Sequence, residues 1–348
     1  MPGVAVSSRS LQRLPEYWVG AVADHVIRAV WLPDSSRCAV GDASGGLAVL
    51  RRETGAAAFR CQAHYGLGLT GLVCDPSGER LATCGQDGIV RVWNAETGAP
   101  LLALAAGAAW CEQVGWSADG ELLAGAAGKS VRIWDREGTL VREYPNHRAT
   151  VTDVQWHPRE RLLCTTSYGG VSLLDPAEAA PVRLFAWQGS SLVARWSPSG
   201  RYIATGEQDS TVHFWIVESG KDLQMSGYPM KVRSLAWSGK GRLLATSGSH
   251  EVTVWDCSGR GPAGSRPFTL RSHDKPVSAL DFRKQDDLLV SGGEDGRVIV
   301  WNVVKGRAVA SFGPSSQAVS AVAWSPDGKT VLTGHAGGDV RMLGAPTI

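Results

Sequence analysis

The sequence predicts an all-β fold assembled from many copies of one unit of short antiparallel strands. Glycine occurs 42 times in 348 residues, well above the usual ~7%, and tryptophan occurs 14 times. A strand-ending position also recurs along the whole chain at intervals of 40 to 46 residues, occupied in turn by Leu50, Trp93, Trp134, Leu174, Trp215, Trp255, Trp301 and Leu343. Frequent glycine is typical of many turns, and the regular interval is typical of a repeat architecture.

The segment from Val277 to Asn302 shows the unit most clearly. VSALDF and LLVSGG are two apolar runs separated by a polar break at 283–287, and RVIVWN is a third run that follows the E-D-G turn at 294–296. An Asp-Gly pair between two apolar runs predicts a tight hairpin turn. One such small sheet alone would be marginally stable, so we expect the copies to pack against one another.

Each copy begins with a strand similar to V-x-x-V-x-W. These first strands are VIRAVW at 26–31, LTGLVC at 69–74, CEQVGW at 111–116, VTDVQW at 151–156, SLVARW at 191–196, VRSLAW at 232–237, VSALDF at 277–282 and VSAVAW at 319–324. A fourth, outer strand follows the third, for example PLLALAA at 100–106. The last copy ends too close to residue 348 to include an outer strand, whereas YWVGAVADH at 17–25 has no partner of its own. We therefore expect this N-terminal strand to complete the last unit and close a ring, which leaves no free edge.

This pattern resembles the WD40-repeat β-propeller family over residues 17 to 343. The resemblance implies a single closed propeller. We expect eight blades of four antiparallel strands; the alternative is seven, with one terminal unit as a decorated end. The expected domains are an N-terminal extension at 1–16 and a propeller at 17–348, with units near 26–64, 69–107, 111–146, 151–187, 191–228, 232–273, 277–314, and 319–343 completed by 17–25. The composition, rich in Ala, Gly and Arg, favours a stand-alone bacterial member.

The resemblance also implies a buried hydrogen-bond chain of His, Ser or Thr, Asp and Trp within a blade. Two units carry all four residues: His64, Thr83, Asp87 and Trp93 in unit two, and His273, Ser291, Asp295 and Trp301 in unit seven. Unit five has Gln188 or Gly189 where the histidine is expected. His, Ser and Asp also form hydrolase sites, but a serine saturated by such a chain has no room to attack a substrate. We therefore predict a structural role for these residues.

A second set of residues is predicted to bind a partner protein or peptide on one rim of the ring. It consists of Trp110, Trp187, Tyr228, Tyr65, Tyr168, Arg148 and Lys275. These residues lie in or near loops that precede first strands, or in a turn that faces the same way, and the resemblance implies that this rim is the usual partner surface. Aromatic residues and arginine are enriched at binding hot spots. The alternative for each loop tryptophan is that it covers the end of the core.

Composition and the motifs that the sequence lacks argue against several classes of function. A net charge of +2 gives no basic excess for nucleic acid, no apolar run is long enough for a membrane span, and the N-terminus lacks a signal-peptide core. Seven scattered cysteines without a C-x-x-C pair predict reduced thiols, a cytoplasmic protein and no metal site. No phosphate loop or other cofactor motif occurs.

We expect a monomeric, non-enzymatic interaction scaffold. The alternative is a small-ligand-binding or catalytic propeller that uses a central channel lined by Arg28, Glu112, Asp153 and Arg233.

Overall fold

The computed structural model describes residues 11–108, 110–259 and 261–347, and these residues form 31 β-strands and no helix. The first ten residues of the predicted N-terminal extension lie outside the described residues. None of the described segments is an apolar helix of membrane-spanning length. Two short strands open the chain, β1 (Gln12–Arg13) and β2 (Glu16–Ala21).

Units one to three are antiparallel sheets of four strands in chain order. Unit one contains β3 (Val26–Trp31), β4 (Arg37–Asp42), β5 (Gly46–Arg51) and β6 (Ala57–Gln62). Unit two contains β7 (Leu69–Cys74), β8 (Arg80–Gly85), β9 (Ile89–Asn94) and β10 (Pro100–Ala105). Unit three contains β11 (Cys111–Trp116), β12 (Leu122–Ala127), β13 (Ser130–Asp135) and β14 (Leu140–Tyr144).

Units four and five form one continuous six-stranded sheet rather than two separate ones. Its strands are β15 (Asp153–Trp156), β16 (Leu163–Leu174), β17 (Arg183–Trp196), β18 (Tyr202–Glu207), β19 (Val212–Ile216) and β20 (Lys221–Met225). The first part of β17 pairs with β16, and its second part pairs with β18. Strand β17 is therefore both the outer strand of unit four and the first strand of unit five.

Units six to eight return to separate sheets. Unit six contains β21 (Leu235–Trp237), β22 (Leu243–Thr246), β23 (Glu251–Asp256) and β24 (Phe268–Arg271). Unit seven contains β25 (Val277–Phe282), β26 (Leu288–Gly293), β27 (Val298–Asn302) and β28 (Arg307–Phe312), and β1 adds a fifth, parallel strand beside β28. Unit eight contains β29 (Val319–Trp324), β30 (Thr330–His335) and β31 (Asp339–Gly344).

The molecule is an all-β closed propeller with seven blades when each continuous sheet is counted as one blade. The expectation of eight separate blades is therefore not supported, and the alternative of seven agrees with the structure. The reason is the unbroken strand β17, which joins the fourth and fifth repeat units. The repeat itself is present eight times, because first strands contact one another in order round the ring, from β3 beside β7 to β29 beside β3.

Closure of the ring by the N-terminal strand is confirmed. Strand β2 pairs antiparallel with β31 and supplies the outer strand that unit eight lacks. Contacts cross the same seam: Arg52 forms a 2.6 Å ion pair with Asp327, and the Ser320 hydroxyl donates to the Val26 carbonyl at 2.7 Å. The seam is thus held by backbone pairing, an ion pair and a side-chain hydrogen bond.

The core lies between neighbouring sheets. Trp116 and Trp134 of unit three pack with Val90 and Val92 of unit two, and Trp301 packs with residues of unit six. Since each sheet has an apolar residue set on both faces, every sheet needs a neighbour on each side. A closed ring meets this requirement, because it gives the first and last sheets a neighbour as well.

Tryptophans that end the first strands also tie adjacent units through hydrogen bonds. In four of them the indole N–H donates to a backbone carbonyl of the preceding unit at 2.9 to 3.2 Å: Trp31 to Ala323, Trp156 to Gly115, Trp196 to Gln155 and Trp237 to Arg195. The acceptor is always the residue before the last position of the preceding first strand. The recurring tryptophan therefore fills the core and also fixes the spacing of neighbouring units.

We expect Trp18→Ala to destabilise the closing strand. The Trp18 indole donates a 2.6 Å hydrogen bond to the Arg52 carbonyl, and its ring covers the backbone of Gly55. Losing both the packing and the bond lowers the free energy of unfolding by about 2–4 kcal/mol. Val19→Ala, at an exposed position of the same strand, is the control and changes it by less than about 1 kcal/mol. Urea unfolding measures both, and equal losses would contradict the assigned role of Trp18.

Candidate functional site: the upper rim and the hydrogen-bond chains beneath it

One rim of the ring, here the upper rim, is formed by the loops that precede each first strand and by the turns between second and third strands. Neighbouring loops are bonded to one another. Between units three and four, the His147 amide donates to the Lys129 carbonyl and the Val151 amide donates to the Gly128 carbonyl. Between units five and six, the Val232 amide donates to the Glu207 carbonyl. The upper rim is thus a continuous surface across several units.

Beneath the upper rim, unit seven forms the complete hydrogen-bond chain. The Trp301 indole donates to the Ser291 hydroxyl at 2.8 Å, Ser291 lies 2.7 Å from Nε2 of His273, and Nδ1 of His273 lies 3.0 Å from Asp295. The chain is satisfied when the neutral imidazole carries its proton on Nδ1 and donates it to the carboxylate. Burial lowers the pKa of His273, which favours this neutral form.

Unit two repeats the chain and adds a cation. Trp93 donates to Thr83 at 3.0 Å, Thr83 lies 3.1 Å from Nε2 of His64, and Nδ1 of His64 lies 2.9 Å from Asp87. Arg91 binds the second oxygen of Asp87 at 2.5 Å. Although burial acts in the opposite direction, the contacts with Arg91 and His64 hold the pKa of Asp87 below its usual value. The hydroxyls of Thr83 here and of Ser291 in unit seven are both buried and hydrogen-bonded, so neither is available to solvent as a nucleophile.

In unit six, Tyr228 replaces the missing histidine. The Trp255 indole donates to the Tyr228 hydroxyl at 2.8 Å, and that hydroxyl lies 2.8 Å from Oγ1 of Thr246. Burial raises the pKa of Tyr228 to about 12. Tyr228 was predicted as a partner-binding residue, and the structure gives its hydroxyl a role inside the blade. The sequence signal was available, because unit six keeps Trp255 and Thr246 but has no histidine to join them.

In unit five, Trp187 turns inward. Its ring packs on His213 with centroids 3.9 Å apart, and its indole N–H lies among buried atoms with no hydrogen-bond partner in the described chain. Glu207 occupies the position two residues after Thr205 and accepts a 3.0 Å hydrogen bond from Ser191. Burial raises the pKa of Glu207. Trp187 was also predicted to bind a partner, and here it covers the end of the core, which was the alternative for a loop tryptophan.

The other five residues predicted to bind a partner are exposed on the upper rim. They are Tyr65, Trp110, Tyr168, Arg148 and Lys275. The side chains of Tyr65, Trp110 and Tyr168 are 78%, 54% and 50% exposed, respectively. Leu67 and Met230, which sequence reasoning missed, are also exposed apolar side chains of rim loops. Lys275 lines a cavity of about 430 Å³ with His25 and Glu294 where units seven, eight and one meet.

The central channel contains a compact set of charges. Asp153 is 4% exposed, and its carboxylate accepts hydrogen bonds from Arg195, Gln155 and the amides of Val154 and Ala194 at 2.9 to 3.0 Å. Burial lowers the pKa of Arg28, and the Asp153 charge opposes that shift. The Asp153 carboxylate therefore contributes to the electrostatic environment of Arg28.

The remaining predicted channel residues do not join this set. Glu112 is half-buried on β11, where burial raises its pKa, and Arg233 is exposed before β21. Sequence reasoning missed Arg195 and Asp281, both of which precede the last residue of a first strand. Asp281 accepts a 2.7 Å hydrogen bond from the Trp324 amide, and burial raises the pKa of Asp281 to about 7.

The role of the Tyr228 hydroxyl is tested by Tyr228→Phe. This change leaves the Trp255 indole N–H and the Thr246 hydroxyl without their partner, so we expect a loss of about 1–3 kcal/mol in the free energy of unfolding. Tyr65→Phe removes an exposed hydroxyl and is the matched control, with a change below about 0.5 kcal/mol. Denaturant unfolding of the two variants should separate them clearly; indistinguishable midpoints would refute the structural role.

Asp281→Asn is expected to stabilise the protein in a pH-dependent way. The folded-state pKa of Asp281 is raised to about 7, so the unfolded chain holds fewer protons between pH 4 and 7 and the wild type loses stability as the pH rises through this window. Asparagine still accepts from the Trp324 amide but does not ionise. The advantage of the variant should be near zero at about pH 4 and reach at most about 4 kcal/mol above pH 7. Urea unfolding at both pH values provides the measurement, and a pH-independent difference would exclude this account.

Comparisons with known proteins were made for both sequence and structure. The family model described as "WD domain, G-beta repeat" matches seven segments: residues 57–94, 103–135, 138–173, 189–215, 222–256, 264–302 and 306–342. Telomerase protein component 1 of Rattus norvegicus is 26% identical over 281 residues, which is 78% of this chain and 10% of that protein. Transcriptional corepressor LEUNIG_HOMOLOG of Arabidopsis thaliana is 27% identical over 256 residues, which is 72% of this chain and 32% of that protein. The chain thus spans between a tenth and a third of these two curated relatives.

Two solved structures show the same fold. The C-terminal WD40 domain of Sif2 superposes with a TM-score of 0.81 at 18% identity and covers 97% of this chain and 99% of that domain. The computationally designed Ika8 protein superposes with a TM-score of 0.82 at 20% identity and covers 96% of this chain and 100% of its own. The family matches extend over most of the repeats, and the blades carry the hydrogen-bond chains implied by the resemblance. The chain belongs to the WD40 repeat family.

Proposed function

We propose that this protein is a non-enzymatic scaffold that binds a partner protein or peptide on its upper rim. The observation that carries the proposal is the contrast between the rim and the interior. Beneath the rim, the His, Ser, Thr and Asp side chains of units two and seven are engaged with one another, whereas Tyr65, Trp110 and Tyr168 are at least half exposed above them. Large aromatic side chains supply contact area at a low cost in conformational entropy and dominate many interfaces.

Catalysis in the channel is the competing function, and the channel charges favour a structural role instead. Both oxygens of Asp153 already accept hydrogen bonds from main-chain and side-chain donors, and Asp281 accepts from the next unit. A general base needs a lone pair directed at a substrate. The Asp153–Arg195 contact instead joins units four and five at the innermost strands.

We further propose a monomeric protein of the cytoplasm. Support comes from the cysteines, since all seven are free and five of them are buried. Burial raises the pKa values of Cys38 and Cys257 to about 12, so these thiols behave as small apolar core residues. Free buried thiols are typical of reducing compartments.

Affinity capture with matched variants tests the scaffold function. Tagged wild type, a Tyr65→Ala/Trp110→Ala double variant and a Leu140→Ala control are used to capture proteins from the source cells, followed by quantitative mass spectrometry. Leu140 is an exposed apolar residue on an outer strand, away from the upper rim. We expect at least one stoichiometric protein that the control retains and the double variant loses by about tenfold or more. Equal capture by all three proteins would place the interface elsewhere, and a bound small molecule without a protein would favour the channel.

A further inference from the structure

Charged side chains are distributed unevenly over the upper rim. Its loops and turns in units three to six, here called the basic arc, run from residue 106 to residue 250. Four exposed cations lie in it: Lys129, Arg148, Lys231 and Arg233. Among the residues that the structure describes, none of these four side chains forms a salt bridge or donates a side-chain hydrogen bond, although such contacts are frequent on the opposite rim and at the outer strands.

Carboxylates are nearly absent from the basic arc. The rim segments of units three, four and six contain no Asp or Glu, and unit five contributes only Asp209, which accepts a 2.7 Å hydrogen bond from Thr211. Glu112 follows Trp110 in sequence, but it is half-buried on β11 and burial raises its pKa. The other half of the ring has exposed acids at Asp24, Asp274 and Glu294, together with Lys275, and Asp274 pairs with Arg297 at 3.0 Å.

Exposed apolar side chains lie among the cations along a connected surface. Ala108, in the loop of Trp110, lies against Gly128; a Cβ at Gly128 would be 3.5 Å from it. The Arg148 side chain passes close to Gly169, the residue after Tyr168. A Cβ atom added to Gly169 would lie 3.0 Å from Cδ of Arg148. Trp110 and Lys129 of unit three are therefore followed by Arg148 and Tyr168 of unit four.

Unit six has the same combination of an exposed apolar side chain next to cations. Met230, 47% exposed, precedes Lys231 in the loop before β21, and its amide is held by the Gly248 carbonyl. Unit five lies between the two sets, with Trp187 turned inward beneath it. The arc therefore presents positive charges next to apolar or aromatic contacts over about half of the rim.

We propose that the basic arc binds an acidic peptide segment of a partner protein, with Asp or Glu side chains facing Arg148 and Lys231 and an apolar side chain against Trp110 or Tyr168. This inference rests on the proposed use of the upper rim as a partner surface and adds the chemistry of the partner. Because these cations have no carboxylate partners in the protein, no ion pair has to break when a peptide binds. A peptide that supplies the carboxylates is therefore attracted electrostatically, and the positions of the cations fix its register on the rim.

A peptide fits this surface better than a nucleic acid. A nucleic acid backbone places its charges in an unbroken row and needs a continuous basic stripe. The basic arc is interrupted by Asp209 and does not continue onto the other half of the rim, where Asp24 and Glu294 are exposed and repel a long polyanion. A short peptide with a few carboxylates avoids these repulsions and uses the apolar contacts.

The test is an unbiased peptide selection followed by binding measurements. A display library of random peptides of about 12 residues, long enough to bind in an extended form, is selected on the immobilised wild-type protein. The recovered peptides are synthesised with a fluorophore, and their affinity is measured by fluorescence anisotropy for five proteins: wild type, Arg148→Glu, Lys231→Glu, Lys240→Glu and the Tyr65→Ala/Trp110→Ala variant. Lys240 is an exposed lysine in the turn between β21 and β22, on the opposite rim, and is the charge-matched control.

The proposal requires recovered peptides enriched in Asp and Glu. It also requires about tenfold weaker binding for Arg148→Glu and Lys231→Glu and unchanged binding for Lys240→Glu. Raising the salt from about 50 mM to about 500 mM should weaken wild-type binding, since exposed charges are screened. Circular dichroism and thermal unfolding identify any variant that has lost its fold.

The outcomes separate the two proposals. Neutral or basic peptides that depend on Tyr65 or Trp110 but not on the arc cations would overturn the acidic partner and leave the upper rim as the binding surface. Peptides insensitive to every rim variant, or no enriched peptide at all, would overturn both. A fluorescent single-stranded RNA of about 20 nucleotides that binds through Arg148 and Lys231 more tightly than any peptide would replace the peptide with a nucleic acid.

Discussion

Ring closure is the constraint on which the rest of this structure depends. Each sheet carries apolar side chains on both faces, so every sheet is stable only between two others. The first and last units satisfy this rule by sharing the N-terminal strand: β2 pairs with β31, while the Trp31 indole donates to the Ala323 carbonyl across the seam. One sheet therefore contains strands from near both ends of the described residues. The last unit is completed only when residues more than 300 positions apart meet, which is costly in chain entropy and makes closure the least local step of the fold.

A second constraint acts within the units whose third strand ends in tryptophan, where a buried indole N–H needs an acceptor. Units two and seven use the hydroxyl and histidine of the repeat pattern, whereas unit six uses the hydroxyl of Tyr228. In unit five the indole N–H of Trp215 donates to the Thr205 hydroxyl at 3.4 Å, and Trp187 packs on His213, which in turn stacks on Trp215. The same donor is thus satisfied by different residues. A rim residue can consequently be part of the scaffold even where the repeat pattern is broken.

Most of the fold could be predicted from the sequence, because the interval between strand-ending residues and the turn residues repeat in every unit. The closing strand was predictable as well, since the last unit had no outer strand and the N-terminal run had no partner. The count of separate sheets was not predictable. Residues 187–190 join units four and five in a segment of only four residues that reads like the other rim loops, yet it continues as strand in β17. Whether such a segment breaks or continues depends on pairing with β16 and β18, which no local pattern encodes.

The candidate site was predictable in part. Exposure of Tyr65, Trp110 and Tyr168 follows from their places in loops and turns, but an aromatic residue in a rim loop has the same local pattern whether it faces solvent or replaces a missing core partner. Tyr228 and Trp187 are the two that turn inward, and both lie in units without the histidine. The missing histidine was therefore an available signal for these two residues, but it does not suffice alone, because Trp110 of unit three also lacks that histidine and is exposed.

The charge pattern of the rim follows from the separation between loops and core. A net charge of +2 suggests an electrically neutral surface, yet the exposed rim cations of units three to six have few carboxylates near them, whereas Asp24, Asp274 and Glu294 share the other half with Lys275. Loops can differ in charge from unit to unit because the exposed cations of the basic arc take no part in the hydrogen-bond chains beneath them. A rigid ring that concentrates unpaired cations on one half of its rim presents an uneven electrostatic potential to a partner. Such a potential orients a charged partner before contact, so the direction in which a bound segment runs is set by the rim and not only by its apolar anchors.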